Sequence, residues 1–93
     1  MSIVYLIESI RDYDTVYKIG YTKSKKAKNR IIQLQTGNDG KLKILHEFPT
    51  KHGTIVEKAL HNFYNSKKIK NEWFKLDLED VNDFMIKCEQ VEK

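Results

Sequence analysis

The sequence predicts an α/β sandwich: a three-stranded antiparallel sheet flanked by about three helices, in the order ββαβαα. Three observations carry that expectation. Two β-branched and aromatic runs, residues 3–8 and 16–21, flank a short polar segment, as the arms of a hairpin do. A later stretch, residues 42–48, alternates apolar and polar side chains with the period of a strand. Around it lie three segments whose apolar residues recur at helical spacing.

The elements follow in order. Ile3 to Glu8 is bounded by Arg11-Asp12-Tyr13-Asp14 and answered by Val16 to Tyr21, a hairpin with a loop of about five or six residues. If Tyr5 lies opposite Lys18, both share one face of the sheet, and a slip of one residue would separate them. Tyr17 and Tyr21 then point to the other face. Ser24 opens a helical segment in which Ala27, Ile31 and Leu34 form a stripe flanked by Arg30 and Gln33; Thr36-Gly37-Asn38-Asp39-Gly40 ends it. In the third strand Leu42, Ile44, His46 and Phe48 alternate with Lys43, Leu45 and Glu47, and Pro49 stops it. Thr54 caps the next helix, with Glu57 as its capping-box partner. That helix carries an apolar stripe of Val56, Ala59, Leu60 and Phe63 beside a second stripe of Glu57, His61 and Tyr64. The last helix starts near Asp77, with Asp77 and Asp80 as cap partners, and buries Val81, Phe84, Met85 and Cys88. No repeat, linker or low-complexity tract interrupts the chain, so residues 1–93 read as a single domain.

Composition narrows the classes of function. A chain of 93 residues forms one core and buries about 60% of its unfolded surface. No apolar run approaches the ~20 residues that span a bilayer, and no signal-peptide pattern is present, so an intracellular protein without a membrane partner is expected. Cys88 is the only cysteine, which excludes an intrachain disulfide and a thiolate-rich zinc cluster. Net charge is +4, but unevenly placed. Lys18, Lys23, Lys25, Lys26, Lys28 and Arg30 fall in a stretch with no acid, and Lys67, Lys68 and Lys70 form a second cluster. Such patches suit a polyanion through counterion release, and they equally suit a solvated face. Among fifteen lysines stand two arginines, Arg11 and Arg30. An arginine placed among lysines offers a planar fork that a lysine lacks.

Individual side chains have two readings at this level. Glu57 either completes a capping box or offers carboxylate oxygens to Mg²⁺ or Mn²⁺. His61, one turn on, is either a half-buried structural histidine or a group that orients Glu57, binds metal or moves protons. Tyr5 is a core aromatic, or a phenol whose acidity a nearby cation could raise. Glu72 either caps or forms a salt bridge with a basic neighbour, and Trp73 and Phe74 read as core.

The order of these pieces resembles the GIY-YIG nuclease superfamily over about residues 3 to 76. Its first tripeptide corresponds to Ile3-Val4-Tyr5 and its second to Lys18-Ile19-Gly20, with Lys18 where the superfamily usually has a tyrosine. The chain is closer to a subgroup of small, often phage- or virus-encoded domains, which share Lys-Ile-Gly, a Glu-x-x-x-His helix like Glu57 to His61, and Glu-Trp-Phe like Glu72 to Phe74. The resemblance implies a Mg²⁺- or Mn²⁺-dependent endonuclease that hydrolyses phosphodiester bonds in DNA, or in RNA. It implies that Glu57 holds the metal, Tyr5 activates water and Arg30 clamps the scissile phosphate, with Lys18 and His61 as further catalytic candidates. Lys23, Lys25, Lys26 and Lys28 would hold the nucleic-acid backbone. A domain this small has low sequence specificity unless a homodimer or a partner protein supplies it. The competing expectation is a nucleic-acid-binding module of the same fold without turnover, which the lysine at position 18 motivates.

Overall fold

The computed structural model describes residues 2–23 and 41–92. Within them the elements are β1 (Ser2–Ile10), β2 (Thr15–Thr22), β3 (Lys41–Thr50), α1 (Gly53–Phe63), a 3₁₀ turn (Asn65–Lys67), β4 (Lys68–Lys70), β5 (Trp73–Phe74) and α2 (Leu78–Glu92). The fold is mixed α+β. Its sheet, antiparallel throughout, contains five strands among the described residues, in the order β3-β1-β2-β5-β4. The expected sheet of three is therefore too small. The two added strands span three residues and two residues, too few to show a period, and they exist because β5 pairs with β2. Asn71, at φ 53°, makes the turn between them; asparagine tolerates that left-handed backbone better than most residues. The helix expected from Ser24 lies outside the described residues.

The first hairpin forms as the alternation requires, with a loop of Arg11 to Asp14. Arg11 closes that loop twice. Its N–H donates to the Asp14 carbonyl at 2.9 Å, and its guanidinium grips the Asp14 carboxylate at 3.0 and 3.1 Å. Tyr5 stands opposite Gly20 and Lys18 opposite Ile7. The register thus differs by two residues from the expected Tyr5–Lys18 pairing, and a shift of two preserves the face. Tyr5 and Lys18 share one side of the sheet; Tyr17 and Tyr21 lie on the other.

The third strand runs longer than expected and includes Pro49, opposite Ile3. At a sheet edge a residue without an N–H is tolerated. A β-bulge falls where Leu6 pairs with His46 and the next residue, Ile7, pairs with Ile44. Leu45 is the extra residue, and it splits the alternating stripe between two faces. His46 and Phe48 face the helices, where His46 stacks on Phe84 at 5.8 Å and its Nε2 lies 2.9 Å from the Val81 carbonyl. Leu42 and Ile44 face the opposite side, with Tyr5 and Ile7.

The two described α-helices cover the same sheet face. The main core joins Val4, Leu6, Tyr17, Ile19 and Phe48 to Val56, Leu60, Tyr64, Phe84 and Cys88. Within α1 the stripe is narrower than expected: Val56 and Leu60 are buried, while Phe63 is exposed beneath the Lys87 ammonium, 4.1 Å from its ring. The capping box with Thr54 and Glu57 does not form. His52 is the N-cap, without a side-chain cap, and Thr54 lies inside the helix. Packing sets the start instead, because Gly53 approaches so closely that a Cβ there would lie 2.7 Å from Ser2 Cβ and 3.0 Å from the Tyr21 ring. The cap of α2 forms as expected. The Asp80 N–H donates to Asp77 Oδ1 at 2.9 Å, and the Asp77 N–H returns to Asp80 Oδ2 at 3.2 Å. Lys67 adds ion pairs to both carboxylates.

Candidate active site at the edge of β2

Along β2, strand β5 pairs only with Tyr17 and Lys18, so β2 continues past it with an uncovered edge. Residues from two elements close that edge. The Ile19 N–H donates to the Glu72 carbonyl at 3.1 Å. On the same residue, His61 Nε2 lies 2.9 Å from the Ile19 carbonyl and donates its proton there, since a carbonyl only accepts. Two residues along, the Tyr21 N–H faces the Glu57 carboxylate and favours its charged form. The helical spacing of Glu57 and His61 matches the two-residue repeat of the strand edge beneath them. Side chains of α1 thus stand where a neighbouring strand would be. The ring of His61 is held edge-on against Phe74 at 5.0 Å between centroids.

Glu72 brings its charge to the same place. Lys18 is 6% exposed, and a lysine that buried needs a partner. Its ammonium pairs with the Glu72 carboxylate and lies 5.8 Å from the centroid of Trp73, within cation–π range. Burial, then the negative charge of Glu72, pushes the Glu57 carboxyl above its ordinary value; His61, Lys18 and the Tyr21 N–H pull the other way. Four ionisable groups from β2, α1 and the β4–β5 turn thus share one field.

Tyr5 reaches this cluster from β1. It is 1% exposed, and its ring lies across β2 at Gly20. A Cβ on Gly20 would stand 2.6 Å from the Tyr5 hydroxyl and 2.8 Å from Cζ. The glycine of Lys18-Ile19-Gly20 is therefore required by close approach of a side chain, with no unusual backbone angle. The hydroxyl thus lies over Gly20, which in sequence separates Ile19 from Tyr21.

A family model described as the T5orf172 domain matches residues 2–89, from the start of β1 nearly to the end of α2. The chain belongs to the T5orf172 domain family. No curated protein and no solved structure matches it.

Of the residues expected at the site, this T5orf172 domain brings together Tyr5, Lys18, Glu57 and His61. Lys23 is exposed just beyond β2. Arg30, Lys25, Lys26 and Lys28 lie outside the described residues. Tyr64, expected in line with Glu57 and His61, turns into the core instead, where burial pushes its hydroxyl up to about 12. Glu72 was expected to meet some basic neighbour. That neighbour is Lys18, 54 residues away in the chain, which no local pattern reveals. Among the described residues no helix is long and apolar enough to cross a membrane.

Proposed function

We propose that this T5orf172 domain is an intracellular endonuclease of GIY-YIG type that hydrolyses phosphodiester bonds in DNA with the help of Mg²⁺ or Mn²⁺. The observation that carries the reading is the convergence of Lys18, Glu57 and His61 at the edge of β2, with Tyr5 lying across the same strand at Gly20. In this reading Tyr5 takes the proton of the attacking water. To do so it must act as a phenolate; Lys18 stands on the same sheet face, its ammonium paired with Glu72. His61 holds β2 in place through Ile19, its Nε2 proton committed to that bond. Arg30 is assigned to the scissile phosphate by the sequence resemblance, as are Lys25, Lys26 and Lys28 to the flanking backbone.

The residues present fit a hard divalent cation. Among the described residues no three His, Cys, Asp or Glu side chains are arranged to hold a metal. Mg²⁺ is commonly bound by one or two carboxylates with water and substrate phosphates, so one carboxylate meets the requirement. Glu57 suits that part: its carboxylate faces the Tyr21 N–H, further lone pairs remain, and the negative charge of Glu72 beside it is relieved by a cation. When bound, such an ion supplies Lewis-acid stabilisation of the charge that develops on the phosphate.

The second reading is a nucleic-acid-binding module without turnover. The buried Lys18–Glu72 pair favours it, because a lysine held by a carboxylate is less available to a phosphate. Supercoiled plasmid incubated with Mg²⁺ or Mn²⁺ separates the two. Nicking by the wild type that Glu57→Gln abolishes is the expected result; the glutamine keeps an acceptor for the Tyr21 N–H, so the fold survives. DNA binding without nicking in either metal would sink the enzyme reading. If neither DNA nor RNA binds at low salt, both readings fail.

A further inference from the structure

Resting on the nuclease reading above, we infer that the β4–β5 hairpin is a second contact for the DNA backbone, made by Lys68 and Lys70. The acids near the hairpin are already engaged. Glu72 is taken by Lys18. Asp77 and Asp80 are taken by Lys67, besides capping α2. Asp14 is shared between Arg11 and Lys75, the latter at 3.8 Å. The sequence cluster Lys67, Lys68, Lys70 therefore separates in three dimensions. Lys67 serves the helix cap, while Lys68 and Lys70 are exposed and form no ion pair among the described residues.

Their placement matters as much as their charge. Lys70 stands opposite Trp73, and Trp73 stands opposite Lys18. The three form a row across β4, β5 and β2, on the sheet face that carries Tyr5. Two strand spacings put the Lys70 backbone about 10 Å from that of Lys18. That is about three base-pair rises along a duplex. The half-buried indole of Trp73 lies between, with Lys18 above its ring. The hairpin thus links an uncompensated pair of lysines to the site through its own turn, since Glu72 lies between Lys70 and Trp73. A phosphodiester chain that crosses the Tyr5 face meets Lys70 next; Lys68, set opposite Phe74 by the register shift in β4, carries the same charge on the other face of this outer strand.

The test is fluorescence anisotropy of the full chain with a labelled duplex, without metal, over a series of salt concentrations. Lys68→Gln/Lys70→Gln is compared with Lys41→Gln/Lys43→Gln, a control of equal charge on β3 at the other edge of the sheet. Urea unfolding of both variants confirms that they fold. Two lost phosphate contacts lower the slope of log K against log salt by about 1.8, so the β4 variant binds more weakly with a shallower slope. Equal slopes for the β4 and β3 variants would overturn the inference. So would wild-type binding to RNA alone, which assigns the wrong polymer. Plasmid nicking by the wild type together with equal slopes removes this contact and leaves the nuclease reading. No nicking together with a β4-specific loss removes the nuclease reading and leaves the contact.

Discussion

Gly20→Ala tests the packing at the centre of the site. The new methyl carbon would begin 2.6 Å from the Tyr5 hydroxyl, 2.8 Å from Cζ and 3.1 Å from Cε1. Restoring contact at about 3.5 Å requires the hydroxyl to retreat by about 0.9 Å. Tyr5 is 1% exposed, and its ring is rigid, so the movement must pass into neighbours such as Ile7. Overpacking of this kind costs about 1–3 kcal/mol, which urea unfolding would detect. A double-mutant cycle isolates the cause. In a Tyr5→Ala background the obstruction is gone, so Gly20→Ala should cost far less there, with a coupling energy above about 1 kcal/mol. If the protein is a nuclease, displacing the phenol by close to 1 Å should also lower the nicking rate by about 10²-fold. A Gly20→Ala protein as stable as wild type, or a coupling energy near zero, would refute the account of this glycine.

Three further outcomes are expected. Glu57 has a folded-state pKa above the unfolded one, so folding takes up a proton and the wild type loses stability as pH rises through the folded value. Glu57→Gln should therefore be more stable than wild type at pH 7, with the advantage vanishing in acid below the ordinary glutamate range; urea midpoints at several pH values would show an opposite trend if the sign is wrong. His61→Phe keeps a ring against Phe74 but leaves the Ile19 carbonyl without its donor, at a cost of about 1–3 kcal/mol. Unchanged stability would mean that water replaces the imidazole there. Burial, with Glu92 and Glu89 nearby, pushes the Cys88 thiol up to about 12, so it should resist a thiol reagent at pH 8 and react in step with urea unfolding. Rapid stoichiometric labelling of the native protein would contradict its place in the core.

Much of the architecture is legible because it is periodic. The β1–β2 hairpin and α2 announce themselves through alternation and the Asp77/Asp80 box, and the structure reproduces both. What escapes sequence reading depends on contacts distant in the chain. The stripe Leu42, Ile44, His46, Phe48 is present in the residues, yet one bulge at Leu45 sends its halves to opposite faces. Thr54 and Glu57 spell a capping box, but the close approach of Gly53 to Ser2 and Tyr21 starts the helix elsewhere. Strands β4 and β5 are too short for any pattern. At the site, Glu57 and His61 are found by their spacing, while their bonds to Tyr21 and Ile19 follow from where β5 ends.

That ending has a consequence for solubility. Past Lys18, β2 exposes alternating donors and acceptors, the template on which one chain adds to another. Here His61 and Glu57 occupy the Ile19 carbonyl and the Tyr21 N–H from α1, acting as a bolt across an open seam. Drawing that bolt by substituting both residues would leave a β-rich segment, Val16 to Tyr21, ready to recruit its copies from other molecules. The same pair that marks the site thus closes this stretch of β2 to a strand from another chain.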